Sequence, residues 1–266
     1  MTIDYVATVR EQSARFLSVL QATGASVAVP SCPDWDAADL VWHLGQVQSF
    51  WENVVRRDVT DEAQLDDLES TERPSDYAGL LAYCEESGAQ LVRTLGRYPA
   101  SDQRYMWAHD PALHTVGYIS RRQALEALIH RVDAELTAGV ARAPIDPVFA
   151  VDGVDEVIDV IRGGAVPDWA SFTPAGDRIV ELVATDTDQR WTLQLGSFGG
   201  ITPDGVEVHE QGFERVENGL SARATVSAAS ADLLLWLWNR PAGTVDLAGD
   251  PDALRSLDYA VNEDID

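Results

Sequence analysis

Residues 121–135 read RRQALEALIHRVDAE and lie inside a longer stretch, 118–138, whose apolar residues recur at helical spacing. Those apolar positions are Ile119, Ala124, Leu128, Val132 and Leu136. Gly139 follows directly and is a natural helix stop. Glu126 and His130 are four residues apart, so they share one face of the predicted helix. This stretch therefore predicts a helix that presents a carboxylate and an imidazole side by side.

Three earlier segments of the chain carry the same kind of apolar stripe. They cover residues 5–22, 37–57 and 77–95, and each is bounded by polar residues, proline or glycine. The second segment places His43 one residue before the apolar Leu44. Four long amphipathic segments in one compact unit predict a four-helix bundle.

His43, Glu126 and His130 would converge if the second and fourth helices face each other. Two imidazoles and one carboxylate leave an open coordination position, as catalytic zinc requires, and the same set also suits non-haem iron. Spacing alone leaves two other interpretations open. Glu126 would then be one end of a surface ion pair with Arg122, and His43 a hydrogen-bonded core histidine.

The second half of the chain contains short strand-like segments in place of long amphipathic ones. Residues 143–149 predict a linker between a first domain, 1–142, and a second, 150–262. Apolar and polar residues alternate over 178–184 and 190–195, which predicts a hairpin. Further strands are expected at 205–209, 221–227 and 244–248, and helices at 231–239 and 251–259. We therefore predict an α+β two-domain protein whose smaller C-terminal domain has a mainly antiparallel sheet.

Charge and composition limit the possible partners. Among 266 residues, 44 are acidic and 19 basic, so the net charge is −25. Such a surface repels nucleic acid and anionic lipid, so neither is an expected partner. All 19 basic residues are arginine, which excludes chemistry that needs a lysine Schiff base.

Export signals, membrane-spanning runs and cysteine number bear on where the protein is expected to act. The sequence shows neither a signal peptide nor an apolar run long enough to cross a bilayer. Two cysteines, Cys32 and Cys84, are too few for a disulfide scaffold. We therefore expect a monomer in the reducing cytoplasm that acts on small molecules.

Several separated motifs resemble one known family. Residues 29–45, VPSCPDWDAADLVWHLG, are similar to the VPxCPxW…DLxxHLG segment of the mycothiol-dependent maleylpyruvate isomerases, which are DinB-like four-helix metalloenzymes. Residues 121–135 resemble that family's second motif, RRxxxExxxHRxDAE. In the C-terminal half, residues 152–156, 185–187, 233–240 and 247–250 resemble its companion domain.

The resemblance implies a set of functional residues. His43, Glu126 and His130 stand at the positions of the family's divalent-metal ligands, and the metal is usually zinc. Mycothiol is the implied cosubstrate. Arg240 matches an arginine implicated in activity, although a charge that complements a helix C-terminus is the alternative for it. Two positions depart from the pattern, since relatives often have histidine at Leu125 and glycine at Asn239.

A mechanism follows from the implied metal and thiol. A free thiol has a pKa near 8.5, and a metal ion that binds its sulfur favours the nucleophilic thiolate. Attack on a small electrophile then gives either cis–trans isomerisation or S-transfer. A DinB-like hydrolase that activates water, and a non-catalytic binding module braced by metal, remain the competing hypotheses. The sequence leaves the roles of His109, His114 and Asp133 open.

Overall fold

A computed structural model describes residues 3–68 and 71–262 of the chain. It divides into two compact units, Met1–Ala143 and Pro144–Asp266, and each is described by itself below. Residues 1 and 2, at the start of the segment in which no signal peptide was predicted, lie outside the described part.

The first unit is built on four long helices. They are α1 (Tyr5–Leu20), α2 (Ala37–Arg56), α3 (Tyr77–Leu95) and α4 (Val116–Thr137), with short 3-10 segments at Glu62–Asp67 and Pro111–Leu113. The predicted helical bundle is confirmed. No helix in the described ranges has the length and apolar character that a membrane span requires.

Each long helix begins at a side chain that satisfies its free backbone N–H groups. Asp4, Asp36, Asp76 and Thr115 accept hydrogen bonds from the first turns of α1 to α4, respectively. At α2 the bond is reciprocal, because Asp39 also accepts from the backbone N–H of Asp36. The polar residues that precede each apolar stripe therefore fix where the helices start.

The core of the bundle lies between these helices. α1 packs mainly on α4, α2 packs mainly on α3, and α2 also contacts α4. The α2–α3 contact is close at Gly45, where an added Cβ would lie 3.0 Å from the ring of Tyr83 and 3.1 Å from the Cα of Cys84. α4 is buried on most of its circumference, so its polar side chains need partners inside the protein.

The second unit combines a five-stranded sheet with three helices. Its elements are α5 (Pro147–Glu156), which continues as a π-helical turn (Val157–Ile161), β1 (Ala170–Ala184), β2 (Arg190–Ile201), β3 (Glu207–Val216), β4 (Ala224–Ala228), α6 (Ser230–Leu237), β5 (Asp246–Gly249) and α7 (Pro251–Asn262). The strand order is β3-β2-β1-β4-β5. The β1–β2 hairpin is confirmed, and three of the four strand pairs are antiparallel. β1 and β4 pair in parallel, because the chain returns from β3 to the other edge of β1.

Three strands extend well beyond their predicted bounds, and one of them, β2, continues to Ile201 where the prediction ended at 195. β1 starts at Ala170, before the expected residue 178, and β3 runs over 207–216 where only 205–209 was expected. In β1 the extra residues are mostly exposed, so they lack the alternation of apolar and polar residues that marks a half-buried strand. Backbone pairing with β2 alone defines them. In β3 the extra residues include the buried Gly212 and Phe213.

The family-like motifs of this unit contain residues that hold its elements in place. Asp186 accepts hydrogen bonds from the backbone N and Oγ of Ser230, at 2.8 and 2.9 Å, and so caps α6. Asp250 accepts from two backbone N–H groups at the start of α7. Asp155 accepts from the indole Nε1 of Trp191 at 2.8 Å.

Candidate metal centre

Three predicted ligands meet inside the first unit. His43 on α2 and Glu126 and His130 on α4 each offer one ligand atom, and these atoms lie within 4.8 Å of one another. Nε2 of His43 is 3.3 Å from Oε1 of Glu126, and Nε2 of His130 is 3.0 Å from the same oxygen. Both imidazoles therefore present the same nitrogen to a single carboxylate oxygen.

The donor set and its spacing fit a divalent cation. Ligands at about 2.0–2.1 Å from a tetrahedral zinc stand roughly 3.3 Å apart, close to the separations of Glu126 Oε1 from the two imidazole nitrogens. His43 is the most accessible of the three, because 25% of its side chain is exposed against 14% for Glu126 and 8% for His130. A ligand from solution would approach on the His43 side.

Arg122 controls the charge and the geometry of Glu126. Its guanidinium donates to Oε2 of Glu126, one helical turn away, which leaves Oε1 to face the two histidines. Burial alone would raise the pKa of Glu126, but Arg122, His130 and His43 together hold it well below its usual range. The predicted Arg122–Glu126 pair exists, but it is buried rather than on the surface.

Asp133 contacts Nδ1 of His130, the ring nitrogen that does not face Glu126. Its Oδ2 lies 3.0 Å from Nδ1 of His130, and the residue is fully buried. Burial alone would lower the pKa of His130, but the carboxylates of Glu126 and Asp133 raise it to about 9. Without a cation, His130 therefore carries a proton at neutral pH, and a metal ion would take the place of that proton. Asp133 is therefore not a solvated surface carboxylate but a partner of His130.

Trp35 forms a wall of the cluster. The centroid of its ring lies 4.7 Å from that of His43 and 6.4 Å from that of His130. The half-buried Trp35 ring packs on the hydrophobic core, but it also contacts the imidazoles.

Arg240 belongs to the second unit, and its backbone is fixed by the end of α6. Its N–H donates to the carbonyl of Leu235, and the N–H of Asn239 donates to that of Trp236. These two bonds form a Schellman motif. Asn239 has a φ of 53°, in the left-handed region that glycine adopts most easily. The Arg240 guanidinium donates to the carbonyl of Trp238 at 2.8 Å.

The remaining candidates lie outside the cluster. His109 is exposed, and Nε2 of His114 lies 2.9 Å from the carbonyl of Ala108. Leu125 is fully buried. Within the described residues, neither His109 nor His114 joins His43, Glu126 and His130 as a ligand.

Besides the contact of Trp35 with the imidazoles, sequence reasoning missed the contact of Ser31 with Asp133. Ser31 Oγ donates to Oδ1 of Asp133 at 2.6 Å, although the two are 102 positions apart. No periodic pattern marks a serine in a turn, so its only signal is its place beside Cys32 and Pro33 in the first family-like motif.

Two family models match the chain. The mycothiol maleylpyruvate isomerase N-terminal domain matches residues 6–135, and the C-terminal domain of the same family matches residues 149–256. Together they cover both units in the expected order. Among curated proteins, no sequence matches this chain significantly.

Two solved structures share the fold. A crystal structure of the mycothiol-dependent maleylpyruvate isomerase aligns with a TM-score of 0.55, and one of a histidine-to-alanine variant with a TM-score of 0.58. Each alignment covers 93% of this chain and 93% of the other at 11% identity. At that identity the structural likeness shows the fold alone.

Proposed function

Because this chain belongs to the mycothiol-dependent maleylpyruvate isomerase family, we propose that it is a metal-dependent enzyme that uses mycothiol to isomerise a small electrophilic alkene such as maleylpyruvate. The observation that carries the proposal is the convergence of two imidazole nitrogens on one carboxylate oxygen of Glu126. Zinc is the metal that best suits this donor set. The site of action would be the cytoplasm, where small thiols stay reduced.

The three side chains would hold the cation and leave a coordination position for sulfur. A divalent cation bound there would supply Lewis acidity, so that a thiol ligand loses its proton near neutral pH. Arg122 keeps Glu126 ionised and engaged through Oε2, which reserves Oε1 for the cation. Asp133 holds His130 so that Nε2 faces the same point.

The reaction follows from the chemistry of a sulfur nucleophile. The thiolate adds to one carbon of the activated double bond, and the electron pair moves to the adjacent carbonyl. The former carbon–carbon double bond is now a single bond and can rotate. Return of the electron pair then re-forms the double bond in the trans isomer and expels the same thiolate, so the thiol is regenerated. With a substrate that carries a leaving group, the same attack would give S-transfer.

Arg240 is the proposed anchor for an anionic substrate. A dicarboxylate is repelled by a protein with a net charge of −25, so binding requires a local arginine. The proposed domain bounds are 1–142 for the metal-binding bundle and 150–262 for the domain that carries Arg240, with residues 143–149 as the linker.

The test is an assay of the zinc-loaded protein with maleylpyruvate, run with and without mycothiol. Isomerisation is expected only when both zinc and mycothiol are present, and removal of zinc with a chelator abolishes it. Monochlorobimane in place of maleylpyruvate tests S-transfer. Glu126→Gln is expected to lose turnover, whereas the matched surface variant Glu11→Gln keeps it.

Three results would contradict the proposal. Turnover without thiol would indicate a hydrolase that activates water. Turnover that is indifferent to chelation would exclude the cation. The absence of turnover with either electrophile, in a protein that binds zinc with four of its own ligands, would indicate a binding module.

A further inference from the structure

The turn between α1 and α2 touches the candidate metal centre at two points. Residues 28–36 form a closed loop, because Ala28 and Asp36 make a β-bridge and the N–H of Val29 donates to the carbonyl of Trp35 at 3.0 Å. Inside it, Trp35 N–H donates to the carbonyl of Cys32 at 2.9 Å. The backbone of this turn is therefore held by its own hydrogen bonds.

The two points of contact are Trp35, described above, and Ser31. Ser31 Oγ donates to Oδ1 of Asp133 at 2.6 Å, and Oδ2 of Asp133 lies 3.0 Å from Nδ1 of His130. An ionised carboxylate only accepts hydrogen bonds, so His130 donates from Nδ1. In the neutral ring the lone pair then sits on Nε2, the nitrogen 3.0 Å from Glu126 Oε1.

We propose that Ser31 is a positioning residue of the metal centre and acts on His130 through Asp133. The inference rests on the proposed function, because it requires a cation at His43, Glu126 and His130. Asp133 is fully buried, so water does not readily replace the Ser31 hydroxyl on Oδ1. With both oxygens engaged, the carboxylate stays in one rotamer and the imidazole in one orientation.

Loss of the Ser31 hydroxyl removes one of the hydrogen bonds that fix the Asp133 carboxylate, so its hold on the orientation of the His130 ring weakens. Removing an outer hydrogen-bond partner of a ligand costs roughly 10–100-fold in metal affinity. Ser31 contacts Asp133 and not the ligand His130 itself. Ser31→Ala is therefore expected to weaken zinc binding by about tenfold, at the lower end of that range. Asp133→Asn, which changes the direct partner, is expected to weaken it more.

The experiment measures the zinc dissociation constant by competition with a chromophoric chelator, together with the visible spectrum of the cobalt-loaded protein. The variants are Ser31→Ala, Ser31→Thr, which keeps the hydroxyl, and Ser26→Ala, an exposed serine near the same turn as the matched control. We expect weaker zinc binding and an altered cobalt spectrum in Ser31→Ala alone. Ser31→Thr should restore both, and Ser26→Ala should match the unmodified protein.

Unfolding of each metal-free variant separates positioning from a merely structural role. If Ser31→Ala lowers the stability of the metal-free protein but leaves zinc affinity and the cobalt spectrum unchanged, the positioning role is wrong while the proposed function stands. If the unmodified protein binds no zinc, the proposed function and this inference fall together.

Discussion

Nε2 of His43 lies 3.3 Å from Oε1 of Glu126, although 83 positions separate the two residues along the chain. The contact exists because α2 and α4 adjoin in the bundle. Leu40 and Leu44, on either side of His43 along α2, are fully buried, and so are Ala127 and Ala134 on α4. Apolar packing therefore sets the distance at which the polar groups meet.

Substitution of His43 tests whether α2 contributes a metal ligand. His43→Ala leaves Glu126 and His130 with one ligand fewer, so zinc affinity should fall by more than the roughly 100-fold upper range for an outer partner. Mycothiol-dependent turnover should fall with it, while the helical circular dichroism is retained. His209→Ala, at an exposed position on β3, is the matched control. Unchanged zinc affinity in His43→Ala would remove α2 from the site.

Arg122→Ala tests the electrostatic support of Glu126. Removing the guanidinium takes one partner from a buried ion pair and leaves the histidines to offset the charge of Glu126, so we expect the metal-free protein to lose about 3 kcal/mol of unfolding free energy. With saturating zinc the loss should be smaller, because the cation takes over the neutralisation of Glu126. Urea unfolding with and without zinc measures both values.

The control for that experiment is Arg10→Ala, at an exposed position on α1, which should change stability by no more than about 0.5 kcal/mol. An equal loss for Arg122→Ala with and without zinc would show that no cation binds beside Glu126.

The two cysteines should differ in reactivity. Burial raises the pKa of the Cys84 thiol to about 12, so below that pH the thiol stays protonated and unreactive. Cys32 is partly exposed. Labelling of the folded protein with a disulfide reagent at pH 8 should therefore modify Cys32 and spare Cys84 until the chain is unfolded. Fast labelling of Cys84 in folded Cys32→Ser would contradict this, and would make Cys84 a competing thiol in the assays above.

Asn239 tests how the backbone before Arg240 is held. A left-handed conformation costs a β-carbon residue roughly 1–2 kcal/mol, and asparagine tolerates it better than alanine does. Asn239→Ala should therefore destabilise the protein by about 1 kcal/mol, whereas Asn239→Gly should be close to neutral. If Arg240 anchors the substrate, the alanine variant should also raise KM for maleylpyruvate. Equal stability of the two variants would mean that the turn does not need this conformation.

The helices of the first unit could be predicted from the sequence because each has a helical apolar period and a polar residue that caps its first turn. The parallel pairing of β1 and β4 and the exposed first half of β1 could not, because they depend on backbone pairing between distant segments. The spacing of apolar residues shows which face of an element is buried. It carries no information about backbone hydrogen bonds between strands whose side chains face solvent.

For the site, the i,i+4 spacing identified Glu126 and His130 as neighbours, and the predicted helix of His43 allowed it to converge with them. The family resemblance then implied that all three are metal ligands. Ser31 and the wall formed by Trp35 were missed. Both depend on how a turn folds back over α4, and that path is fixed by the β-bridge between Ala28 and Asp36. Turn residues have no repeat that would indicate what they contact.

X-ray absorption at the zinc edge, recorded before and after addition of mycothiol, tests the central claim most directly. The claim predicts a shell of nitrogen and oxygen atoms at about 2.0–2.1 Å in the zinc-loaded protein, and the gain of one sulfur atom at about 2.3 Å when mycothiol is added. A shell that stays free of sulfur at saturating mycothiol would contradict it.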